Sequence, residues 1–490
     1  MVFALLVAGL SACGGESSTS LSRLGHAGRW LTDSTGRVII LHGLNMVAKR
    51  PPYLPSKLGF TEDDARFLEA NGFRAVRLGV IYKAVEPSPG VYDDDYLRQI
   101  EATVSMLARH GVYSLIDFHQ DAYNERFGGE GFPDWAVLED GPKTDYRKLD
   151  VMAVVLRASV VVDRFWLNTP GPGGIGLQDR YAAALAHTAR RFVGDDSVLG
   201  YDLFNEPLPA AKWLPCRQVQ DCGAFDAVLG DFQSRVTTAI RRTDDRHLVW
   251  YEPNTLFNWG TPTRLPPIPD RKVGMSFHNY CSPFPVSCQK TIQDVFTNAE
   301  QRTVQTNDAL LLTEFGHPEA RVLADFANGA DQHRMSWLEW AYCGCGNPTY
   351  PYPTTDRPEA LVLDLKKPPS DKNVDQAKLQ VLVRPHPQVV AGTPEAFRFD
   401  TTTKTFAFSY DTARASGRGR FAPGSCTEIF VPQLHYRNGY RVSTNGARVV
   451  SSAGAGILKV RSLPNARRIV VRVTPDSNGK TDLPRTGGGC

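Results

Sequence analysis

Eight short β-branched or apolar runs recur along the first two thirds of the chain, most of them separated by stretches of helical spacing. The runs are Arg37–Asn45, Ala75–Ile81, Val112–Phe118, Val198–Pro207, His247–Pro253, Lys272–Tyr280, Ala309–Gly316 and Ser336–Tyr342. Between them, Thr61–Ala70, Asp94–Arg109, Gln178–Phe192 and Phe225–Arg242 place apolar residues at i, i+3 and i+4, the period of a helix with one buried face. Thr61 stands as N-cap with Asp64 at the third helical position, close to a capping box. Strands that read as near-continuous apolar runs are covered on both faces, which is the signature of a parallel sheet. Eightfold strand–helix alternation closes most simply as a (β/α)8 barrel. The pattern changes after about residue 350. Pro/Thr-rich sequence gives way to the short strands Ala396–Phe399, Thr405–Tyr410, Thr427–Phe430, Arg441–Ser443 and Arg468–Val473, with turn signals at Asn438-Gly439 and Asn445-Gly446. This second pattern predicts a small β-sandwich. The chain therefore divides into a leader and tether over 1–25, an α/β barrel over 26–370, a β-sandwich over 371–476 and a tail over 477–490.

In such a barrel the chemistry sits at the C-terminal ends of the strands. Here those ends are polar: His42 and Asn45, Arg77, His119 and Asp121, Asn205 and Glu206, Glu252, His278 and Tyr280, Glu314, and Trp340. Burying one such group unpaired costs several kcal/mol, so a series of them marks a concave polar site. Glu206 ends the fourth run and Glu314 the seventh. Two carboxyl groups across a cleft are what glycosidic bond hydrolysis needs: one carries a proton for the leaving oxygen, and the other is ionised to attack or to activate water. For a single Glu an ion pair is the ordinary alternative. No HExxH or paired CxxC pattern is present, so neither a metal nor another cofactor is expected.

Composition narrows the class. With 42% hydrophobic and 22% charged residues the chain is neither a disordered tail nor a fibre. A formal net charge of +3 gives no overall basic excess, so nucleic acid is not expected as a partner. No run of 18 apolar residues occurs, which argues against a spanning helix. Met1–Leu10 is apolar, and Leu10-Ser11-Ala12-Cys13 resembles the lipobox of bacterial lipoproteins. That resemblance implies lipid attachment at Cys13 and a secreted or cell-surface lipoprotein, with the following Gly/Ser/Thr stretch as a tether. Of nine Cys, eight remain if Cys13 carries lipid. Cys216 with Cys222, and Cys281 with Cys288, are close enough for local bridges, whereas the pairing of Cys343, Cys345, Cys426 and Cys490 stays open.

Asn205-Glu206-Pro207 after the fourth strand and Glu314-Phe315-Gly316 after the seventh resemble glycoside hydrolase family 5. Arg77, His119, Asn205, Glu206, His278, Tyr280, Glu314 and Trp340 fall in that family's order over roughly residues 30–345. Within the family, the segments 117–123 (DFHQDAY), 128–135 (GGEGFPDW), Val85-Glu86-Pro87, Gly90-Val91-Tyr92 and 387–394 resemble the endoglycoceramidases. These cut between an intact glycan and ceramide, and an endogalactosylceramidase type shares the same motifs. The resemblance implies a retaining mechanism with Glu314 as nucleophile and Glu206 as acid/base. It implies that Arg77 and Tyr280 hold Glu314 ionised and oriented, that Asn205 bonds the sugar 2-hydroxyl, that Trp340 forms the floor under the sugar, and that His278 tunes Glu206. Lys49, His119, Asp121 and Trp166 would bond the sugar next to the lipid.

The lipid half needs an apolar surface. The connection of about 80 residues between the third and fourth strands is far beyond ordinary loop length. It carries Phe127, Phe132, Trp135, Phe165 and Trp166, and the loop after the fourth strand adds Trp213 and Leu214. The expected partner is a glycosphingolipid, met at a membrane surface by a monomer. The alternatives are an endo-β-glucanase or mannanase of the same family, and a non-catalytic carbohydrate-binding lipoprotein.

Overall fold

The computed structural model describes residues 21–139, 151–213, 222–282, 286–346 and 359–476. Eight parallel strands close a barrel: β4 (His42–Met46), β5 (Ala75–Ile81), β6 (Tyr113–His119), β7 (Val198–Asp202), β8 (Leu248–Tyr251), β9 (Val273–His278), β10 (Ala309–Glu314) and β11 (Trp337–Glu339). Every residue of these strands is buried, as continuous apolar runs covered on both faces require. The helices lie where their periodicity puts them, with Asp94–Arg109 matching residue for residue. The helix Glu62–Ala70 opens on Thr61, whose backbone N–H donates to the Asp64 carboxylate at 2.7 Å.

The first apolar run contributes to two sheets. Val38–Ile39 forms β3, which pairs antiparallel with β2 (Trp30–Thr32) and with β12 (His386–Val390), before the chain enters the barrel at His42. No glycine, proline or asparagine marks that change of sheet, so the apolar pattern alone reads as one strand. His42 is consequently the first residue of its strand, at the end of the barrel away from Glu206 and Glu314. Its ring stacks between Trp337 and His386, at 4.1 and 3.6 Å, and burial holds it well below the usual imidazole range. Leu24, Leu31, Ile39 and Leu41 meet Ala75, Tyr113, Leu199, Leu248 and Leu311 in one apolar cluster that plugs this N-terminal end.

The C-terminal strands are β12, β13 (Thr393–Asp400), β14 (Thr405–Asp411), β15 (Cys426–Phe430), β16 (Tyr440–Asn445), β17 (Ala447–Val449), β18 (Ile457–Ser462) and β19 (Arg468–Pro475). A sheet of order β1-β2-β3-β12-β15-β18-β17, with β1 over Gly25–Ala27, faces a four-stranded sheet of order β13-β14-β19-β16. Phe397, Phe399, Phe406, Phe408, Ile469, Val471 and Val473 fill the space between them. Cys281–Cys288 and Cys343–Cys345 are disulfides, and Cys222 and Cys426 are also disulfide-bonded. Cys13, Cys216, Leu214 and Cys490 lie outside the described residues. No helix among the described residues is long and apolar enough to cross a membrane.

Candidate active site

Arg77 projects from β5 into the barrel axis and is fully buried. Its Nη1 donates to Glu314 Oε1 at 2.5 Å and its Nε to Asp202 Oδ2 at 2.8 Å. Nη2 reaches Asp117 Oδ1 at 3.0 Å, Glu252 Oε1 at 2.9 Å and Asn205 Oδ1 at 2.9 Å. Four carboxyl groups thus share one guanidinium, so they cannot all be ionised without further compensation. Burial pushes Asp202 up to about 8, against the pull of Arg77 and reinforced by Glu252 and Asp117.

Glu314 ends β10. Tyr280 donates to its Oε2 at 2.9 Å, and His278 Nδ1 stands 3.4 Å from the same oxygen. The expected holding bonds are present. Full burial nevertheless outweighs the His278 and Arg77 charges and raises the Glu314 carboxyl above its ordinary range, contrary to the expectation that these partners simply keep it ionised. Glu206 lies past the end of β7, because the strand stops at Asp202 and Leu203–Pro207 leave the sheet. Its Oε1 accepts from Asn258 Nδ2 at 2.8 Å and His278 Nδ1 at 2.9 Å. Its backbone sits at φ +48°, a left-handed conformation that costs a non-glycine residue about 1 kcal/mol or more. The Glu252 carboxylate holds it there by accepting the Glu206 N–H at 2.9 Å. Burial alone would strip the proton from His278, but the Glu252 and Glu314 carboxylates and the bond to Glu206 keep the imidazole well above its usual range. Glu206, His278 and Glu314 each bring a polar atom within 4.8 Å of the others.

A second polar group lies beside this pair. Lys49 bonds Asp121, stands 3.6 Å from Glu130 and sits 4.3 Å over the Trp340 ring. His119 Nδ1 donates to Asp117 Oδ2 at 2.7 Å, and the ring stacks on Trp340 at 5.5 Å, with the planes 10° apart. Burial disfavours its charge, yet the Asp117 carboxylate lifts it to about 9. His119, Asp121 and Glu130 have the spacing of a cation site, but the Lys49 ammonium already occupies the Asp121 carboxylate. The chain passes here because two glycines let backbones touch. A Cβ on Gly129 would meet Asp121 O at 1.6 Å, and Gly131, at φ +133°, would meet Gln120 Cβ at 2.4 Å. Asn205 Nδ2 donates to Gln120 O at 3.0 Å, which leaves one of its two N–H groups for a ligand.

Beside Glu206 opens a largely apolar cavity of about 240 Å³. Tyr123, Phe127, Ala158, Val162, Trp166, Phe204, Leu208, Ala210 and Trp259 line it, with Glu206 and Asp121 at its edge. Trp166 belongs to this wall, in the cavity that Asp121 also lines. Its indole N–H donates to Leu208 O at 3.1 Å, so the sugar bond expected from Trp166 lacks a free donor. Phe132 and Phe165 are core residues, packed with Tyr82, Tyr181 and Phe204. Trp213 packs on Phe225, and Trp135 bonds Glu86 O. Of the expected aromatic residues, Phe127 and Trp166 line the cavity.

Sequence reasoning missed Asn258 and Asp202, and noted Asp117, Glu130 and Glu252 without giving them a role. Asp117 and His119 stand two apart on β6, hence on one face, and that spacing was the available signal. Asn258 sits in the helical turn Thr255–Trp259, where nothing in the local pattern distinguishes it.

The chain matches the family "Cellulase (glycosyl hydrolase family 5)" over residues 32–346 and "Glycoside hydrolase family 5 C-terminal domain" over residues 384–474. It is 31% identical to Endoglycoceramidase I of Rhodococcus hoagii (strain 103S), over 95% of this chain and 91% of the relative. Endo-glycoceramidase II from Rhodococcus sp., solved as a lactosyl-enzyme intermediate, superposes with a TM-score of 0.73 at 26% identity, covering 93% of this chain and 100% of that one. The same protein in complex with ganglioside GM3 gives a TM-score of 0.74 at 25% identity, covering 91% and 99%.

Proposed function

Since the chain belongs to glycoside hydrolase family 5, we propose that it is a retaining endo-glycosidase that cuts the β-glycosidic bond between an oligosaccharide and ceramide. The observation that carries this reading is a site of two kinds of surface: charged, hydrogen-bonding groups around the carboxyl pair, and a largely apolar cavity that opens from Glu206 and Asp121. A polysaccharide hydrolase binds sugar on both flanks. A cavity walled by Phe127, Val162, Trp166 and Leu208 instead suits the alkyl part of a lipid leaving group.

Glu314 is the nucleophile in this reading. Arg77 and Tyr280 each hold one of its oxygens, fixing the direction of attack on the anomeric carbon. Glu206 gives its proton to the ceramide oxygen as the glycosyl–enzyme bond forms, then takes a proton from the water that resolves it. Asn258 and His278 occupy Glu206 Oε1, so Oε2 is the oxygen free to carry that proton among the described residues. Carboxyl groups about 5–5.5 Å apart retain configuration and a separation of about 6.5–9.5 Å inverts it. Oxygens of Glu206 and Glu314 within 4.8 Å of each other support the retaining case. The Asn205 N–H left over meets the sugar 2-hydroxyl, Trp340 underlies the ring, and Lys49, His119 and Asp121 bond the glycan.

In the same reading the chain acts as a monomer outside the cell or at its surface, with lipid on Cys13, on the strength of Leu10-Ser11-Ala12-Cys13. Mass spectrometry of the native N-terminus tests that part. Thin-layer analysis of products from glucosylceramide-linked and galactosylceramide-linked oligosaccharides tests the activity. Release of an intact glycan with ceramide from either supports it, and hydrolysis of polysaccharide alone refutes it.

A further inference from the structure

Charge is unevenly divided along this chain. Residues 384–476 carry fourteen Lys and Arg against five Asp and Glu, whereas the whole chain sets 55 against 52. The barrel side is therefore net acidic and the sandwich strongly basic. Part of that excess has a geometry of its own. Alternation along β13, β14 and β19 buries Phe397, Phe406, Phe408, Val471 and Val473, and leaves Arg398, Ala407 and Arg472 exposed on the outer face of the four-stranded sheet. Register puts Arg398 opposite Ala407, Ala407 opposite Arg472, and Arg472 opposite Ser443. The two guanidinium-bearing positions are thus two strand spacings apart, roughly 10 Å, with a methyl group between them.

Neither arginine forms a salt bridge among the described residues. On the same strands Arg468 pairs with Glu395, and Arg441 pairs with Asp476. Asp400, two residues along on the same face, feels the Arg398 charge and accepts the Thr402 and Thr403 backbone N–H groups, and Arg398 and Asp400 border a cleft with Asn328, Asp331 and Gln332 of the barrel. Exposed Arg418, Arg437 and Arg467 add cations in the connections that lead into or out of these strands, Arg467 acting on the Asp411 carboxylate. The cations left over from these pairings make the face net basic, and a net basic face favours an anionic partner.

We propose that this face seats the protein on an anionic lipid bilayer. The face is a sheet surface without an exposed aromatic side chain, so it lacks the stacking platforms with which proteins hold single-stranded nucleic acid. Arginines spread over several strands match a field of headgroup charges, where each basic side chain near the surface adds about fivefold to binding. The chain's course agrees. Leu21 and Val389 of β12 border the same cavity, so a group attached at Cys13, eight residues upstream, lies within about 30 Å of it even on a fully extended chain. The sandwich joins the barrel at its N-terminal end, while Glu206 and Glu314 open at the other. Seating by this face leaves the cleft free to meet glycan from outside. The inference does not depend on the catalytic reading, since it concerns binding and not turnover.

The test is cosedimentation of the full chain carrying Cys13→Ser with vesicles of phosphatidylcholine alone, or with one third phosphatidylglycerol. Arg398→Glu/Arg472→Glu is compared with a control of equal charge change on the barrel, Arg190→Glu/Arg242→Glu. We expect binding to the anionic vesicles only, weakening as salt rises from about 50 to about 300 mM. The sandwich double variant should lose at least about tenfold, with the control close to the parent and both variants retaining hydrolysis of a soluble aryl glycoside. Equal binding to neutral vesicles, equal losses in the two double variants, or duplex DNA bound as tightly as the anionic vesicles would each overturn the proposal.

Discussion

Ala158 lines the apolar cavity and is half-buried, which makes it the place to close the cavity without touching the carboxyl pair. An apolar cavity of about 150 Å³ accepts a benzene ring. On that scale the 240 Å³ beside Glu206 holds roughly ten carbon atoms, and a phenyl ring introduced by Ala158→Phe takes the room of about six. Each methylene removed from water contributes about 0.8 kcal/mol. Six displaced methylenes therefore set an upper bound near 5 kcal/mol. The alkyl chains keep part of that by lying on outer surface or against one another in the micelle. A loss of about 1.4–3 kcal/mol remains, or roughly ten- to two-hundredfold in kcat/KM on a ceramide-linked oligosaccharide. The same variant should lose much less on an aryl glycoside of the same glycan, because a single ring buries far less alkyl surface in the cavity than the ceramide chains do. Both rates are measured on one preparation, with thermal unfolding as the check on packing, since overfilling can cost about 1–3 kcal/mol of stability. Equal losses on the two substrates at an unchanged Tm would refute the assignment of this cavity to the lipid.

Glu314→Ser should lose nearly all turnover while still binding glycolipid in an equilibrium assay, because the missing attack exists only on the way to the transition state; retention of more than a few per cent of activity means that Glu314 is not the nucleophile. Glu206→Ala should recover a large part of its loss on substrates whose leaving groups need no proton, and equal loss on activated and natural substrates would remove its acid role. Stability should fall as pH rises from about 5 to about 9. Asp202 and Glu339 are pushed up to about 8, and Glu130 to about 7, mainly by burial, while the Asp117 carboxylate holds His119 at about 9 against its burial. In all four the folded state keeps protons that the unfolded chain releases at lower pH, so their contribution is present below the unfolded values and lost through the folded ones. Thermal scans should show a Tm several degrees higher at pH 5 than at pH 8.5, and Asp202→Asn should flatten that slope; a Tm that climbs over this range contradicts the buried-carboxyl account.

Barrel, sandwich and carboxyl pair were legible in the sequence for separate reasons. Strand identity follows from apolar runs that need cover on both faces, and Glu206 and Glu314 were visible because charge at a strand end is costly unless it is used. What was not legible depends on partners distant in sequence. Glu252 holds Glu206 from 46 residues away, and Asn258 reaches the same carboxylate from a helical turn with no pattern of its own. His42 was misplaced because an unbroken apolar run hides the point where the chain leaves one sheet for another. Phe132 and Trp166 show the limit of aromatic composition. Both lie in the same long connection, yet one fills the core and the other walls a cavity, and only packing separates them. Charge gave the same lesson in reverse, since a net value of +3 conceals a basic sandwich joined to an acidic barrel.

The two alternatives differ from the favoured reading at identifiable atoms. A carbohydrate-binding protein has no use for four carboxyl groups around one buried guanidinium. That arrangement raises Asp202 and strains the backbone at Glu206, and a binding site would be more stable with apolar packing in its place. Such strain persists where chemistry requires it, and here it falls on Glu206, one of the two groups that hydrolysis needs. An endo-β-glucanase would keep the pair but must hold a sugar on the leaving-group side, with polar groups and an exposed ring face. Here most of that wall is apolar, with Phe127, Val162, Trp166, Phe204, Leu208 and Ala210 against the polar Gln120, Asp121, Ser159 and Thr255, and the indole N–H that could have met a hydroxyl is already bonded to Leu208 O. Placing a sugar there would strip its hydroxyls of water with few partners to replace it, at about 1–3 kcal/mol for each one left unpaired, whereas an alkyl chain loses nothing by the same transfer.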